Sequence, residues 1–231
     1  MGFLADSVRT AFSLIVSGDR DVLSAVWTSV AIAAGSILLA SLAGIPCGMQ
    51  VGIGRFRGKR VAVIVLNSLT ALPTVVVGLV LYGVLSREGP LGSLGLLFTR
   101  TAILIGQACL AAPIVANYTL SAVKGADPRI IPSALTLGAS RLKSIFLLTR
   151  EIRFGIVAAI IAGFGRVISE VGVAMMLGGN IRWYTRTMTT AIALQTSKGE
   201  FAYGLALGIL LMVVSISVNI VLSFLQESCS V

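Results

Sequence analysis

Histidine is absent from this 231-residue chain, cysteine occurs three times, and charged residues make up only 12% of it. Without histidine, the side chain that most often serves as a general base or metal ligand is missing. Three cysteines cannot build a disulfide framework, and Cys47 and Cys109 lie inside apolar stretches. Soluble domains are about 25% charged. The absences therefore predict a membrane protein with no metal site of its own.

Long apolar runs account for most of the chain, which is 56% hydrophobic. A helix needs about 20 mostly apolar residues to cross a bilayer. The runs do not alternate between apolar and polar residues, so we expect helices and not a barrel. The fold class predicted is all-α, a polytopic membrane protein with five transmembrane helices. The five windows are residues 22–46, 61–85, 101–123, 154–177 and 203–225.

The first 21 residues form a separate element ahead of the transmembrane domain, which we place at 22–231. Apolar residues recur there at helical spacing, but the stretch is too short to span a bilayer. We interpret it as an amphipathic helix lying in the membrane interface, the alternative being an unpacked terminus. The apolar positions are Phe3, Leu4, Val8, Phe12 and Ile15.

Basic residues concentrate in two loops. Residues 55–60 and 124–153 hold ten of the 18 basic residues of the chain, with only Asp127 and Glu151 as acids. Cytoplasmic loops carry such an excess, so we expect the N-terminus outside and segment 124–153 in the cytoplasm. Because these bases lie between apolar windows and not on a soluble face, we expect no nucleic-acid partner.

Segment 124–153 is long for a simple connection and predicts two short helices meeting at about a right angle. Asp127-Pro128 is typical of a helix start, and Gly138-Ala139-Ser140 interrupts the apolar pattern. Small residues at the bend would let another protein approach closely, and Arg141 and Lys143 suit an acidic cleft. The alternative is an ordinary amphipathic loop.

Residues 132–139 resemble the EAA loop of ABC transporter permease subunits, with Gly138, Ala139 and Ala134 in matching positions. Pro132 and Ser133 stand where that motif has glutamate and its first alanine, and Arg150-Glu151 replaces its later Leu-Pro. The resemblance implies a coupling helix that docks on an ATP-binding subunit. Its expected residues are Ser133, Ala134, Leu135, Gly138, Ala139, Ser140 and Arg141.

Further stretches are similar to oxyanion importer permeases of the molybdate and tungstate group. They are residues 72–78, 165–172, 178–181 and 185–188. The motifs Ile-Ser-Glu-Val-Gly and Gly-Gly-Asn-Ile most resemble those of tungstate permeases. The alternative is a permease for molybdate or another oxyanion such as sulfate. The resemblance implies a type I importer permease in the cell membrane of a prokaryote. It also implies a homodimer, two ATP-binding subunits and an extracytoplasmic oxyanion-binding protein.

Two charges lie deep inside the fourth window. Arg166 is 12 residues past Phe154, which is about 18 Å along a helix. Glu170 follows at a spacing that would let both side chains pair on one helix face. Buried membrane charges usually face a bundle interior or a water path. Two interpretations stay open: a self-neutralising structural pair, and a role in the anion path or its gating.

Prolines and small residues suggest where a pathway could open. Pro73 and Pro113 are expected to interrupt the second and third windows. The small and β-branched run from Thr74 through Val75, Val76 and Val77 would narrow the pore as a gate, or serve ordinary helix packing. Outside the fourth window, residues 178–202 carry Asn180 and Thr187. They form either a short helix dipping back toward the pore or a solvated loop.

Energy must come from elsewhere, because the chain has no G-x-x-x-x-G-K-[ST] phosphate-binding loop. We expect no cofactor on this chain, no enzymatic activity, and ATP–Mg bound by a separate ATPase. Two other functions remain hypotheses. One is an intramembrane enzyme using Glu170, and the other is an ion-coupled carrier using Arg166 and Glu170.

Overall fold

The computed structural model describes the backbone of residues 2–228 and the side chains of residues 8–221 and Phe224. That part of the chain is helical and has no strand. The helices are α1 Gly2–Val16, α2 Arg20–Ile53, α3 Lys59–Thr70, α4 Thr74–Leu85, α5 Arg100–Gly125, α6 Ile130–Thr136, α7 Arg141–Glu151, α8 Arg153–Ile168, α9 Gly172–Gly178, α10 Met188–Ser197 and α11 Phe201–Ser228. A 3-10 turn covers Gly92–Leu94.

Three of the described helices, α2, α5 and α11, are individually long and apolar enough to cross a membrane. Two bent pairs, α3 with α4 and α8 with α9, raise the number to five if each pair counts as one span. The predicted all-α fold class is confirmed. Helix α2 continues past Pro46, the end of the first window, to Ile53.

Helices α2 and α5 form the most extensive contact in the fold, and small residues let them approach closely. A methyl group added at Gly44 would lie 2.8 Å from the carbonyl oxygen of Ala112. One added at Gly48 would overlap the carbonyl oxygen of Ala116. Close backbone approach at glycine is a common way to pack helices in membranes, where lipid provides no hydrophobic drive between them. This contact is therefore the centre of the fold.

We expect Gly48→Ala to destabilise the protein by about 1–3 kcal/mol, because the added methyl group forces α2 and α5 apart. Gly83→Ala is the matched control, since Gly83 lies in α4 with open space around its Cβ position. Thermal unfolding in detergent measures both variants. Equal unfolding midpoints for the two would contradict the close packing of α2 on α5.

Both bent pairs break at short irregular segments. Helices α3 and α4 meet at 96° around residues 71–73, and α8 and α9 meet at 61° around residues 169–171. Pro73 precedes the first residue of α4, where its missing N–H costs no helical hydrogen bond. The expected interruption at Pro113 is wrong, because α5 runs unbroken from Arg100 to Gly125 with Pro113 inside it.

The two basic loops lie at the same end of the bundle. Arg55 and Lys59 share one cavity with Lys124, Asp127 and other residues from segment 124–153. At the opposite end, Arg182 pairs with Asp21. This arrangement agrees with the predicted topology, in which both basic loops face the cytoplasm.

Helix α1 packs against α11 and leaves apolar side chains uncovered. Val8, Phe12 and Val16 are exposed, whereas Ala11 is fully buried. The predicted positions Phe3 and Leu4 lie outside the described side chains. An exposed apolar stripe suits a helix in the membrane interface, and that location stays a prediction.

Candidate functional site

The breaks in the two bent pairs lie beside each other. Helix α4 begins at Thr74, α9 begins at Gly172, and the two helices pack on each other. A Cβ atom at Gly172 would lie 3.0 Å from Thr74 Oγ1, 3.2 Å from Val75 Cγ2 and 3.3 Å from Glu170 Oε1. The absence of a side chain at Gly172 therefore lets the gate candidates Thr74 and Val75 approach the buried carboxylate.

Arg166 and Glu170 form an ion pair with 3.2 Å between Nη1 and Oε2. The pairing itself follows the prediction, but its expected place on one helix face is wrong. Helix α8 ends at Ile168, so Glu170 lies in the break before α9. There its Oε1 accepts a hydrogen bond from the backbone N–H of Val173 at 3.3 Å. The carboxylate thus accepts a backbone N–H that has no partner within α9 and also neutralises Arg166.

The two side chains of this pair differ in burial. Glu170 is 3% exposed and Arg166 is 37% exposed. Among the described side chains, the Arg166 guanidinium pairs with Glu170 alone. A guanidinium has five N–H donors, so most of the donors of Arg166 remain available to another anion.

Threonine hydroxyls complete the region at the start of α10. Thr189 Oγ1 donates to the carbonyl oxygen of Glu170 at 2.8 Å and lies 3.0 Å from Thr187 Oγ1. The N–H of Met188 donates to Ser29 Oγ of α2 at 2.7 Å. The first turn of α10 is buried. The chain after α9 therefore returns to the depth of Glu170, as the re-entrant interpretation of residues 178–202 predicts.

Some candidate residues lie elsewhere. Asn180 belongs to the loop of residues 179–187 between α9 and α10, which we call the outer loop, where its Oδ1 accepts a hydrogen bond from Arg186 Nε at 3.2 Å. Val77 packs in the apolar cluster around Val173 and Leu177. Pro73 and Val76 are exposed. Of the predicted pore residues, the structure brings together Thr74, Val75, Arg166, Glu170 and Thr187.

The outer loop is fixed by the carboxylate of Asp21. Arg182 Nε donates to it at 3.0 Å, and Trp183 Nε1 donates at 2.6 Å. The hydrogen bond to Asp21 raises the pKa of Arg182 above its ordinary value, although desolvation opposes the shift. The loop that leads into α10 is thus held against the start of α2.

The predicted coupling residues form a bend between α6 and α7. Gly138 adopts φ +84°, a left-handed conformation that favours glycine. Ser140 caps α7, and its Oγ accepts a hydrogen bond from Lys143 N at 3.4 Å. Helix α6 begins at Ile130, two residues after the expected start at Pro128, because Asp127 Oδ1 and the N–H of Arg129 first form a turn at 2.8 Å.

Apolar side chains project from both sides of this bend. Leu137 is 87% exposed and Leu142 is 81% exposed. Leu135 and Phe146 are also exposed, while Ala134 is buried. We call Leu135, Leu137, Leu142 and Phe146 the α6–α7 patch. Apolar residues clustered between exposed bases are typical of a protein-binding surface.

Ser29 is a site residue that sequence reasoning missed. A single hydroxyl within an apolar window gives no periodic signal, and the fold alone shows that it holds α10. As for metals, the described residues contain no group of three or more potential acidic or cysteine ligands.

The arrangement provides one ion-paired guanidinium with further N–H donors, a cluster of hydroxyls and two adjacent helix breaks. Guanidinium and hydroxyl donors suit an oxyanion. The paired carboxylate weakens the attraction, which a pathway needs because an ion must also leave. Helix breaks supply the points about which half-helices can move.

Comparison with known proteins gives consistent results. The family described as "Binding-protein-dependent transport system inner membrane component" matches residues 40–230. The tungstate uptake system permease protein TupB of Peptoclostridium acidaminophilum is 40% identical over 227 residues, covering 98% of this chain and all of the relative. TupB of Campylobacter jejuni is 37% identical over 228 residues, covering 99% and 95%. The molybdenum permease ModB of Escherichia coli K12 is 29% identical over 155 residues, covering 63% and 68%.

A solved structure of the MetNI methionine ABC transporter, described as inward facing, has a similar fold. The TM-score is 0.73 at 17% sequence identity, and the match covers 90% of this chain and 95% of the other. At this level of identity the likeness concerns the fold alone.

Proposed function

Since this chain belongs to the family of binding-protein-dependent transport system inner membrane components, we propose that it is the permease subunit of a tungstate importer. The observation that carries the choice of ion is the 40% identity to a tungstate permease along its whole length. The molybdenum permease matches less closely and over a shorter stretch, so molybdate is the second candidate.

The proposed assembly has two copies of this chain, two ATP-binding subunits and an extracytoplasmic binding protein that selects the anion. Five spans enclose too little space for a polar pathway, and homo-oligomers are usually two-fold symmetric. ATP–Mg is bound by the partner subunits. The exposed α6–α7 patch supports docking of one such subunit at the cytoplasmic end.

The proposed mechanism is alternating access. ATP binding closes the two ATPase subunits, which displace both α6–α7 bends and open the outer side to the loaded binding protein. Hydrolysis restores the inward-open state. Movement at the breaks before α4 and α9 would carry Thr74 and Val75 across the pathway, while Arg166 gives the anion a transient contact weakened by Glu170.

The test uses the complex purified through a tag on this chain, with its ATPase and binding protein. We expect tungstate-loaded binding protein to stimulate ATP hydrolysis several-fold over the unloaded form. An ion-coupled carrier would instead move the anion with the ATPase absent. An equal rate of ATP hydrolysis with the tungstate-loaded and the unloaded binding protein would contradict the proposal.

A further inference from the structure

A cavity of about 430 Å³ opens at the cytoplasmic end of the bundle, between the ends of α2 and α5 and the starts of α3 and α6. Three basic residues, Arg55, Lys59 and Lys124, line it. Its remaining walls are mostly apolar, with Ile53, Val123, Ile131 and Leu148 among the lining residues. We call this cavity the basic pocket.

Lys59 is held in the basic pocket by neutral acceptors. Its Nζ donates to the carbonyl oxygens of Gly52 at 2.7 Å and Gly54 at 3.0 Å. Both acceptors are neutral carbonyls at the end of α2. The ammonium group is therefore held in place by hydrogen bonds, while its positive charge is not cancelled by a carboxylate.

Asp127 is the one acid among the described residues that line the pocket. Its Oδ1 already accepts hydrogen bonds from the backbone N–H of Arg129 at 2.8 Å and from Arg129 Nε at 3.4 Å. Arg55 and Lys124 are exposed. The pocket thus has a net positive charge.

We propose that the basic pocket binds the phosphate headgroup of an anionic phospholipid from the cytoplasmic leaflet. The cations lie where α2 and α5 end, two helices that are long and apolar enough to cross a membrane, and basic pockets between helices on the cytoplasmic side suit acidic headgroups. The apolar walls fit the glycerol and first acyl carbons, which a free inorganic anion lacks. Val61, Ile64 and Val65 are exposed on α3, the helix that begins at the pocket residue Lys59, and offer a surface for an acyl chain.

The test measures binding of phosphatidylglycerol to the purified complex by native mass spectrometry and by the shift of its unfolding temperature. Phosphatidylcholine is the neutral comparison lipid. The pocket variant is Arg55→Gln/Lys124→Gln. The matched control, Arg57→Gln/Arg150→Gln, removes the same charge from exposed cytoplasmic residues that do not line the pocket.

Each basic residue near an anionic lipid changes affinity by about fivefold, so we expect the pocket variant to bind phosphatidylglycerol about 25-fold more weakly than wild type. The affinity of the control variant for phosphatidylglycerol should stay within a few-fold of the wild-type affinity. Equal weakening in both variants would overturn the proposal in favour of diffuse attraction. If millimolar inorganic phosphate or tungstate raises the unfolding temperature of the wild type but not of the pocket variant, the pocket binds a small anion instead. Loss of the ATPase subunit with unchanged lipid binding would reassign it to a protein contact.

Discussion

Arg166→Gln should lose about 3 kcal/mol of stability, because it leaves the buried Glu170 carboxylate without its cation. Glu170→Gln should cost about 1 kcal/mol, since the amide oxygen can still accept from Val173 N–H and Arg166 is not enclosed by the chain. This asymmetry follows from the exposure of the two side chains, 37% and 3%. Thermal unfolding of the purified complex measures it.

The double variant Arg166→Gln/Glu170→Gln separates stability from transport. It removes both charges, so much of the stability lost in Arg166→Gln should return. Tungstate uptake should nevertheless stay at least tenfold below wild type if the guanidinium contacts the anion, and Arg166→Lys should keep part of the activity. If the double variant takes up tungstate at the wild-type rate, the ion pair has a structural role only.

Leu137→Glu should reduce recovery of the ATPase subunit with this chain by tenfold or more, because a charge then lies within the apolar α6–α7 patch. The side chain is 87% exposed, so the substitution should hardly change folding. Gly138 is a poorer target, since its φ of +84° would add backbone strain to any effect on docking. Co-purification through a tag on this chain measures the loss.

Leu94→Glu is the control for this experiment. Leu94 is 59% exposed in the 3-10 turn at the outer end, where no ATPase would bind. It should leave ATPase recovery unchanged. Normal recovery with Leu137→Glu would show that α6 and α7 are not the docking surface.

Sequence patterns predicted those features that depend on composition and local order. Each long apolar window coincides with a long apolar helix or with a bent helix pair, and the basic loops at 55–60 and 124–153 lie at one end as the charge rule requires. Ser140 was expected at the bend and caps α7. Hydropathy averages over about 20 residues, which suits continuous helices such as α5.

The helix breaks and the arrangement of the site could not be predicted from the sequence and are visible only in the three-dimensional fold. Residues 154–177 form one apolar window, yet α8 ends at Ile168, because Glu170 is engaged by Val173 and Thr189. Thr189 is distant in sequence, so no local pattern reveals this contact. Pro113 lies inside an unbroken helix while Pro73 lies at a break. Tertiary packing decides between these outcomes.

The most direct test of the proposed importer is tungstate uptake into proteoliposomes holding the whole complex, with ATP inside and the binding protein outside. We expect uptake that requires both components, that excess molybdate reduces less than excess unlabelled tungstate, and that sulfate leaves unchanged. Uptake without ATP, or no uptake when ATP and loaded binding protein are present, would contradict an ATP-driven tungstate importer.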